Sequence, residues 1–154
     1  MRQLTVGDQA PDFALTDQRG ETVRLKDFRG RKLVVYFYPR ANTPGCTTQS
    51  CELRDAEPDL AGLGAAVVGI SPDGPEAQKR FDDKYGLGFP LLSDTDHTVA
   101  EAWGVWGQKK LYGKTFLGIV RSAFVVDEKG KVAATFYKVS PKDTVPEVKA
   151  ALAG

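Results

Sequence analysis

The sequence predicts an α/β domain with a central mixed sheet flanked by helices. Short apolar runs typical of strands alternate with segments of helical spacing, and Pro and Gly mark the turns between them. Two adjacent strand-like runs near the end suggest that an antiparallel pair closes the sheet. With 154 residues, 42% of them hydrophobic, the chain suits one domain over residues 1–154 with a substantial core.

Seven strand-like runs are predicted. Two of them form an N-terminal hairpin, because alternating residues flank a glycine-containing turn. Pro90 cannot donate a ladder hydrogen bond, which favours an edge position for the strand that contains it. The turn 127–130 separates the last two runs and is typical of a hairpin. The runs lie at residues 13–25 (two runs), 33–38, 65–71, 89–93, 119–126 and 131–137.

Four helices are predicted, at residues 44–60, 75–85, 98–103 and 146–152. Pro58 is expected to kink the first helix or stop it early, and Gly62 and Gly64 to end it. Gly86 is expected to end the second helix. The least regular stretch, residues 104–118, has four glycines and three lysines, and it is predicted to be a surface loop near the site or a partner contact.

The charge and hydropathy of the sequence restrict the classes of partner that are expected. The 21 basic and 20 acidic residues give a formal charge of +1 with no basic run, so no nucleic acid partner is expected. Residues 33–38 are among the longest apolar stretches, far short of the roughly 20 residues that span a bilayer, so no membrane partner is expected. The N-terminus lacks the apolar core of a secretory signal, which predicts a cytoplasmic, reducing location.

The only two cysteines, Cys46 and Cys51, lie five residues apart at the start of the first predicted helix. The free N–H groups and the dipole of a helix N-terminus favour a reactive thiolate at Cys46. A structural disulfide is one interpretation, but closing so short a loop stabilises by only about 2 kcal/mol, and stable disulfides are rare in the cytoplasm. Two inert core thiols are another interpretation, because free cysteine is often buried. A zinc site would need His97 and would still lack a fourth ligand.

A redox pair is the remaining interpretation. Five residues along an ideal helix separate two Cα atoms by about 8.6 Å. A disulfide tolerates about 7 Å at most, so oxidation of Cys46 and Cys51 on one regular helix requires at least one turn to unwind. The chain has no Cys-x-x-Cys motif, the more usual arrangement for dithiol exchange.

A motif around the cysteines resembles the peroxiredoxins. The match is closest to the bacterioferritin comigratory protein or peroxiredoxin Q subgroup, and residues 7–13 and 89–94 extend it over nearly the whole chain. The motif consists of Pro39, Thr43, Pro44, Cys46, Gln49 and Cys51, with Arg121 in a downstream strand. The resemblance implies a thioredoxin-like fold with an N-terminal β-hairpin extension, a monomer, and peroxide reduction without a metal or other cofactor.

The resemblance also implies roles. Cys46 is the peroxidatic residue, whose thiolate attacks hydrogen peroxide or an organic hydroperoxide and becomes a sulfenic acid. Cys51 is the resolving residue of this atypical two-cysteine peroxidase, and a thioredoxin-type dithiol reduces the Cys46–Cys51 disulfide. Arg121 and Thr43 complete the catalytic group as donors to the thiolate or peroxide. Residues with supporting or substrate-binding roles are Pro39, Pro44, Gly45 and Gln49.

Simpler interpretations stay open for the supporting residues. Arg121 has the pattern of an edge-strand arginine with its head in solvent, Thr43 that of a plain N-cap before Pro44, and Gln49 that of a solvated glutamine. Two other functions use the same cysteines: a redox-switched sensor or holdase, and a dithiol oxidoreductase acting on protein disulfides. No catalytic role is expected for His97.

Overall fold

A computed structural model describes residues 3–154. The strands are β1 (Ala14–Thr16), β2 (Thr22–Arg24), β3 (Lys32–Phe37), β4 (Ala65–Ser71), β5 (Leu91–Ser93), β6 (Trp106–Leu111), β7 (Lys114–Ile119), β8 (Ser122–Val126) and β9 (Val132–Phe136). The helices are α1 (Pro44–Gly62), α2 (Pro75–Tyr85), α3 (Thr98–Ala102) and α4 (Thr144–Ala153), with short 3₁₀ helices at Leu25–Phe28 and Pro141–Asp143.

Seven strands form one mixed sheet in the order β2-β1-β5-β4-β3-β8-β9. The pairs β3–β4 and β4–β5 are parallel, and the other pairs are antiparallel. The α/β fold class, the N-terminal hairpin and the antiparallel pair that closes the sheet are therefore confirmed.

The interior strand β3 has a hydrophobic core on each of its two faces. Leu33, Val35 and Phe37 pack on one side of the sheet with α3 and the N-terminal segment. Val34 and Tyr36 pack on the other side with α1, α2 and α4. Because successive side chains of a strand point to opposite faces, a run that is apolar throughout is the pattern of a strand covered on both sides.

Helix α1 is longer than predicted. An early stop at Pro58 is wrong, because the helix continues to Gly62 before Gly64 takes a φ of +81°. Pro58 is exposed, so water can satisfy the carbonyl that loses its intrahelical partner. Leu53 and Leu60 are fully buried on either side of the proline and anchor the helix to the sheet.

The other three helices match their predictions closely. Gly86 ends α2 in the left-handed conformation, and its N–H donates to the Asp82 carbonyl at 2.7 Å. Helix α4 begins at Thr144, two residues before the predicted start. Within residues 3–154 no helix is both long and apolar enough to cross a bilayer.

Strand β5 is an interior strand, so the edge position predicted from Pro90 is wrong. It lies between β4 and β1, although only Thr16 and Ser93 pair on the β1 side. Pro90 comes just before the strand, and its carbonyl accepts a hydrogen bond from the Gly69 N–H at 3.0 Å. The missing N–H of the proline therefore costs the ladder nothing.

The surface loop predicted for residues 104–118 is wrong in its structure, since β6 and β7 form a separate two-stranded hairpin. Tyr112 and Gly113 form its turn with φ of +52° and +77°. Two consecutive residues with positive φ are typical of the tightest hairpin turns. The pattern was missed because residues 114–117 are all exposed, which leaves no alternation of apolar and polar residues.

The run 119–126 was predicted as one strand, but the structure divides it. Ile119 ends β7 and Ser122 begins β8, with Val120 and Arg121 between them. The Val120 N–H donates to the Val105 carbonyl, and the Arg121 carbonyl accepts from Val139. Arg121 thus lies just before a strand rather than within one.

Candidate active site

Cys46 lies in the first turn of α1, immediately after the connection from β3. Thr43 is the N-cap residue and Pro44 the first helical residue, as predicted. The connection is held at Ala41, whose N–H donates to the Asp73 carboxylate at 2.7 Å, and at Asn42, whose amide oxygen accepts from a tyrosine hydroxyl at 3.2 Å. Cys46 is only 1% exposed, so its thiol belongs to the core rather than to the surface.

The guanidinium of Arg121 contacts the Cys46 sulfur. Its Nη2 donates to Cys46 Sγ at 3.3 Å, and its Nη1 donates to Gln49 Oε1 at 2.8 Å. The side chain is half-buried, which excludes the solvent-directed arginine that the pattern alone allowed. A guanidinium in this position favours the negative charge of a thiolate.

Gln49 holds Arg121 in turn, and it is fully buried rather than solvated. Its amide nitrogen donates to Thr144 Oγ1 at 2.9 Å, and the Thr144 hydroxyl donates to the Ser140 carbonyl at 3.0 Å. These bonds form a continuous chain from the start of α4 to the Cys46 sulfur. Because each group is fixed by the next, the guanidinium has one preferred position.

Gly45 allows the guanidinium to approach the helix. A Cβ atom at this position would lie 3.1 Å from Arg121 Nη2 and 3.5 Å from a side-chain carbon of Pro141. A side chain here would push the arginine away from the neighbouring cysteine. The supporting role predicted for Gly45 therefore has a steric basis.

The Thr43 hydroxyl makes no hydrogen bond to the thiol in this conformation. Its hydroxyl donates to the Arg40 carbonyl at 2.8 Å and makes no capping bond to the helix. The residue is N-cap by position, and its predicted donation to a thiolate or peroxide stays a prediction.

Cys51 lies on the same helix as Cys46, and both thiols are free. It is partly buried and packs against the same hydrophobic core that contains Cys46. The stretch between the cysteines is regular helix, so the ideal Cα separation of about 8.6 Å applies to the reduced state.

The segment between the cysteines has a second buried anchor at Ser50. The hydroxyls of Ser50 and Tyr36 are 2.7 Å apart, and both residues are fully buried. Burial raises the pKa of Tyr36 far above its ordinary value, so its hydroxyl stays protonated. The tyrosine ring is itself packed against Gly69, where a Cβ would come within 2.8 Å of it.

A cavity of about 620 Å³ opens beside the guanidinium of Arg121. Burial lowers the pKa of Lys109 at its wall, the charge of Arg121 lowers it further, and Cys46 acts in the opposite direction. The lining is strongly basic, with no acidic residue. It consists of Pro39, Gln108, Lys109, Lys110, Thr115, Val120, Arg121, Lys138 and Val139.

Other features lie away from this site. A cavity of about 790 Å³ near the N-terminal segment has neither cysteine in its lining. His97 stacks on Trp106, with 3.9 Å between the ring centroids, and contacts Glu101 at 3.0 Å. Within residues 3–154 no three His, Cys, Asp or Glu side chains are grouped to hold a metal ion.

The structure thus brings together most of the predicted site residues and adds three that sequence reasoning missed. Thr144 and Ser140 lie more than 90 residues from Cys46 and belong to no local motif. Lys109 belongs to the stretch that was predicted to lie near the site or at a partner contact, and it lines the cavity beside Arg121.

Comparisons with known proteins agree with the fold. A family model described as AhpC/TSA family matches residues 6–135. Peroxiredoxin Bcp of Escherichia coli K12 is 52% identical over 136 residues, which cover 88% of this chain and 87% of that protein.

Solved structures agree as well. Xanthomonas campestris peroxiredoxin Q has a TM-score of 0.88 at 35% identity, covering 97% of this chain and 95% of that one. A bacterioferritin comigratory protein from Xanthomonas campestris, described for its alkyl peroxide reduction activity, has the same TM-score and identity over 97% of this chain and 96% of that one. The architecture is therefore the thioredoxin-like fold of peroxiredoxins.

Proposed function

This chain belongs to the AhpC/TSA family and is a thiol peroxidase of the peroxiredoxin type, and from that premise we propose that Cys46 is peroxidatic and Cys51 resolving. The whole chain acts as one thioredoxin-like domain. Hydrogen peroxide and organic hydroperoxides are the substrates. The alkyl peroxide reduction described for the Xanthomonas protein supports the second class.

The contact between Arg121 and Cys46 carries this proposal. The guanidinium lies 3.3 Å from the sulfur and is oriented by Gln49, so it stabilises a thiolate without reorganising. An arginine has five N–H donors, and these two bonds use two of them. The others are available to the peroxide oxygens as charge moves from sulfur onto the leaving oxygen.

The first step oxidises Cys46 and reduces the peroxide. The Cys46 thiolate attacks one peroxide oxygen, an S–O bond forms, and the O–O bond breaks. The other oxygen takes a proton and leaves as water or an alcohol, while the sulfur is oxidised to a sulfenic acid. The cavity beside Arg121 supplies the approach, and Pro39 in its wall limits access of water to the sulfur.

The second step requires α1 to unwind. The Cys51 sulfur must reach the Cys46 sulfur, where it forms the disulfide and releases the sulfenic oxygen as water. An ideal helix holds the two Cα atoms about 8.6 Å apart, beyond the limit of about 7 Å for a disulfide. Unwinding between the cysteines releases the buried contacts of Gln49 and Ser50.

The third step uses an external dithiol of the thioredoxin type, which reduces the Cys46–Cys51 disulfide and becomes a disulfide itself. A monomer in the cytoplasm fits this cycle, because a reducing compartment keeps both cysteines available as thiols.

A coupled assay with thioredoxin, thioredoxin reductase and NADPH tests the cycle. NADPH oxidation should continue over many turnovers with either class of peroxide, and Cys46→Ser should reduce it to background, roughly a thousandfold or more. Cys51→Ser should retain the first turnover, detected as a sulfenic acid adduct, yet stop the cycle.

Each alternative function has its own signature in the same assay. A single stoichiometric oxidation of the wild type without turnover would indicate the sensor or holdase. Reduction of insulin disulfides with no peroxide consumption would indicate the dithiol oxidoreductase. Peroxide turnover by Cys46→Ser would refute the assignment of the peroxidatic residue.

A further inference from the structure

The tip of the β6–β7 hairpin, residues 109–117, has an unusual charge. Residues 109–117 contain three of the chain's 21 basic residues and none of its 20 acidic ones. The rest of the chain therefore has 18 basic against 20 acidic residues. A basic projection on an otherwise acidic protein favours an anionic partner at this one surface.

The hairpin tip also exposes large apolar side chains. Tyr112 is 95% exposed, Leu117 59%, Leu111 57% and Phe116 44%. Among residues 3–154 only two other large hydrophobic side chains are exposed, Val6 and Leu63, so these groups concentrate on one short segment. A cluster of exposed apolar side chains on a small protein indicates an interaction site.

Both faces of the hairpin tip combine basic and apolar side chains. Residues directly opposite in an antiparallel pair share a face, so Leu111, Lys114, Lys109 and Phe116 lie on one face. Leu117 lies on the other, one residue along its strand and opposite Gln108. Because residues 114–117 are all exposed, the tip stands clear of the body on both sides.

We propose that the hairpin tip docks the protein on the surface of an anionic lipid bilayer. A bilayer interface surrounds a projecting tip, accepting apolar groups from both faces while lysines reach the lipid phosphates. Tyrosine is typical of the same boundary. A partner protein, or a second copy of this chain, would cover mainly one face and leave the other in water.

The acidic surplus of the remaining chain sets the orientation. An anionic surface attracts the lysines of the hairpin tip and repels the body, so only this end of the molecule approaches the lipid. Gln108, Lys109 and Thr115 of the hairpin also line the cavity that reaches Arg121. Docking therefore brings the cavity mouth to the membrane surface.

The docking surface does not depend on the peroxidase mechanism. It also differs from the expectation of no membrane partner, which rested on the lack of a segment able to span a bilayer. Peripheral binding needs only a short amphipathic projection, which the β6–β7 hairpin provides.

Flotation of the full-length protein with vesicles tests the proposal. Phosphatidylcholine vesicles with about a third phosphatidylglycerol should bind the protein, and binding should weaken in high salt and without the anionic lipid. Lys114→Glu should weaken it by about tenfold, because the charge at the surface is reversed. The double variant Leu111→Ser/Tyr112→Ser should weaken it by about as much.

Two controls match these changes elsewhere on the surface. Lys129→Glu makes the same charge change at an exposed turn, and Val6→Ser removes an exposed apolar group outside the hairpin. Both should bind vesicles like the wild type. Thermal unfolding and hydrogen peroxide turnover in solution should be the same in all variants, because none of these residues lines the cavity beside Arg121.

Three results would overturn the proposal: no binding to the anionic vesicles, binding that the hairpin variants leave unchanged, or binding that both controls weaken equally. A wild-type dimer that the hairpin variants convert to monomer, without lipid binding, would assign the tip to contacts between copies. Cross-linking of the tip to an acidic dithiol protein, again without lipid binding, would assign it to the reductant.

Discussion

The active-site turn, residues 43–51, and the hairpin tip, residues 109–117, are built in opposite ways. In the first, Gln49 and Ser50 are fully buried and each has a hydrogen-bond partner. In the second, apolar side chains such as Tyr112 and Leu117 are exposed on both faces of a two-stranded ribbon. Buried polar contacts fix the geometry that catalysis requires. The side chains of a docking surface must instead stay exposed until the partner binds.

The two regions also differ in how much each must rearrange in order to act. The active-site turn is tightly held, yet the resolving step that we propose requires it to unwind. Its buried bonds would then add to the free-energy cost of forming the disulfide. The hairpin tip has few contacts with the body and needs no rearrangement to meet a partner.

Breaking the Arg121 contact should have the largest effect on the active-site turn. Arg121→Ala should lower the second-order rate constant for hydrogen peroxide by about 10²–10³-fold, because a preorganised donor is lost. Stopped-flow single-turnover kinetics measure this. Lys110→Ala also removes one positive charge from the lining of the same cavity, but it should lower this rate constant far less. Equal losses of rate in the two variants would mean that only the local charge matters.

The Tyr36–Ser50 pair offers the next largest effect, on stability. Tyr36→Phe and Ser50→Ala should each lower the free energy of unfolding by about 1–3 kcal/mol, because the remaining hydroxyl is buried without a partner. The double variant should cost less than the sum of the two, as urea unfolding can measure.

Thr48→Ala is the matched control for this pair, since its hydroxyl bonds to Pro44 at the surface, and it should change stability by less than about 0.5 kcal/mol. The pair variants should also form the Cys46–Cys51 disulfide faster, because unwinding then breaks one bond fewer. A slower disulfide would contradict an anchoring role for Ser50.

A smaller effect is expected at Thr144, which acts on the reaction only through Gln49. Thr144→Val removes the hydroxyl from the Gln49 amide and should lower the same rate constant by about three- to tenfold. Thr144→Ser keeps the hydroxyl and should restore the rate. A full rate in the valine variant, or no rescue by serine, would remove Thr144 from the chain that positions Arg121.

The hairpin tip should give the smallest effect in solution. Tyr112→Ser should change the free energy of unfolding by less than about 0.5 kcal/mol and leave peroxide turnover unchanged, because the side chain has almost no contact with the body. Urea unfolding and the coupled assay measure both quantities. A loss above 1 kcal/mol would show that the tip contributes to the fold, and the contrast between the two regions would fail.

Local patterns were enough for the elements whose side chains meet a core. The apolar run of β3, the Pro44 start of α1 and the Gly86 end of α2 were predictable, because each depends on neighbours within one turn or strand. The hairpin β6–β7 was missed for the opposite reason. With both faces exposed, it lacks the alternation that a buried face imposes.

The sequence by itself predicted the residues of the proposed chemistry: two cysteines five residues apart at a helix start and, through the family resemblance, an arginine far downstream. Spacing along one helix also determined that Cys46 and Cys51 cannot meet without unwinding. Only the tertiary structure decided what holds the arginine, through Gln49 and Thr144, and that Ser50 is anchored to Tyr36. Those contacts join residues on different elements, and the packing of α1 and α4 on one face of the sheet creates them.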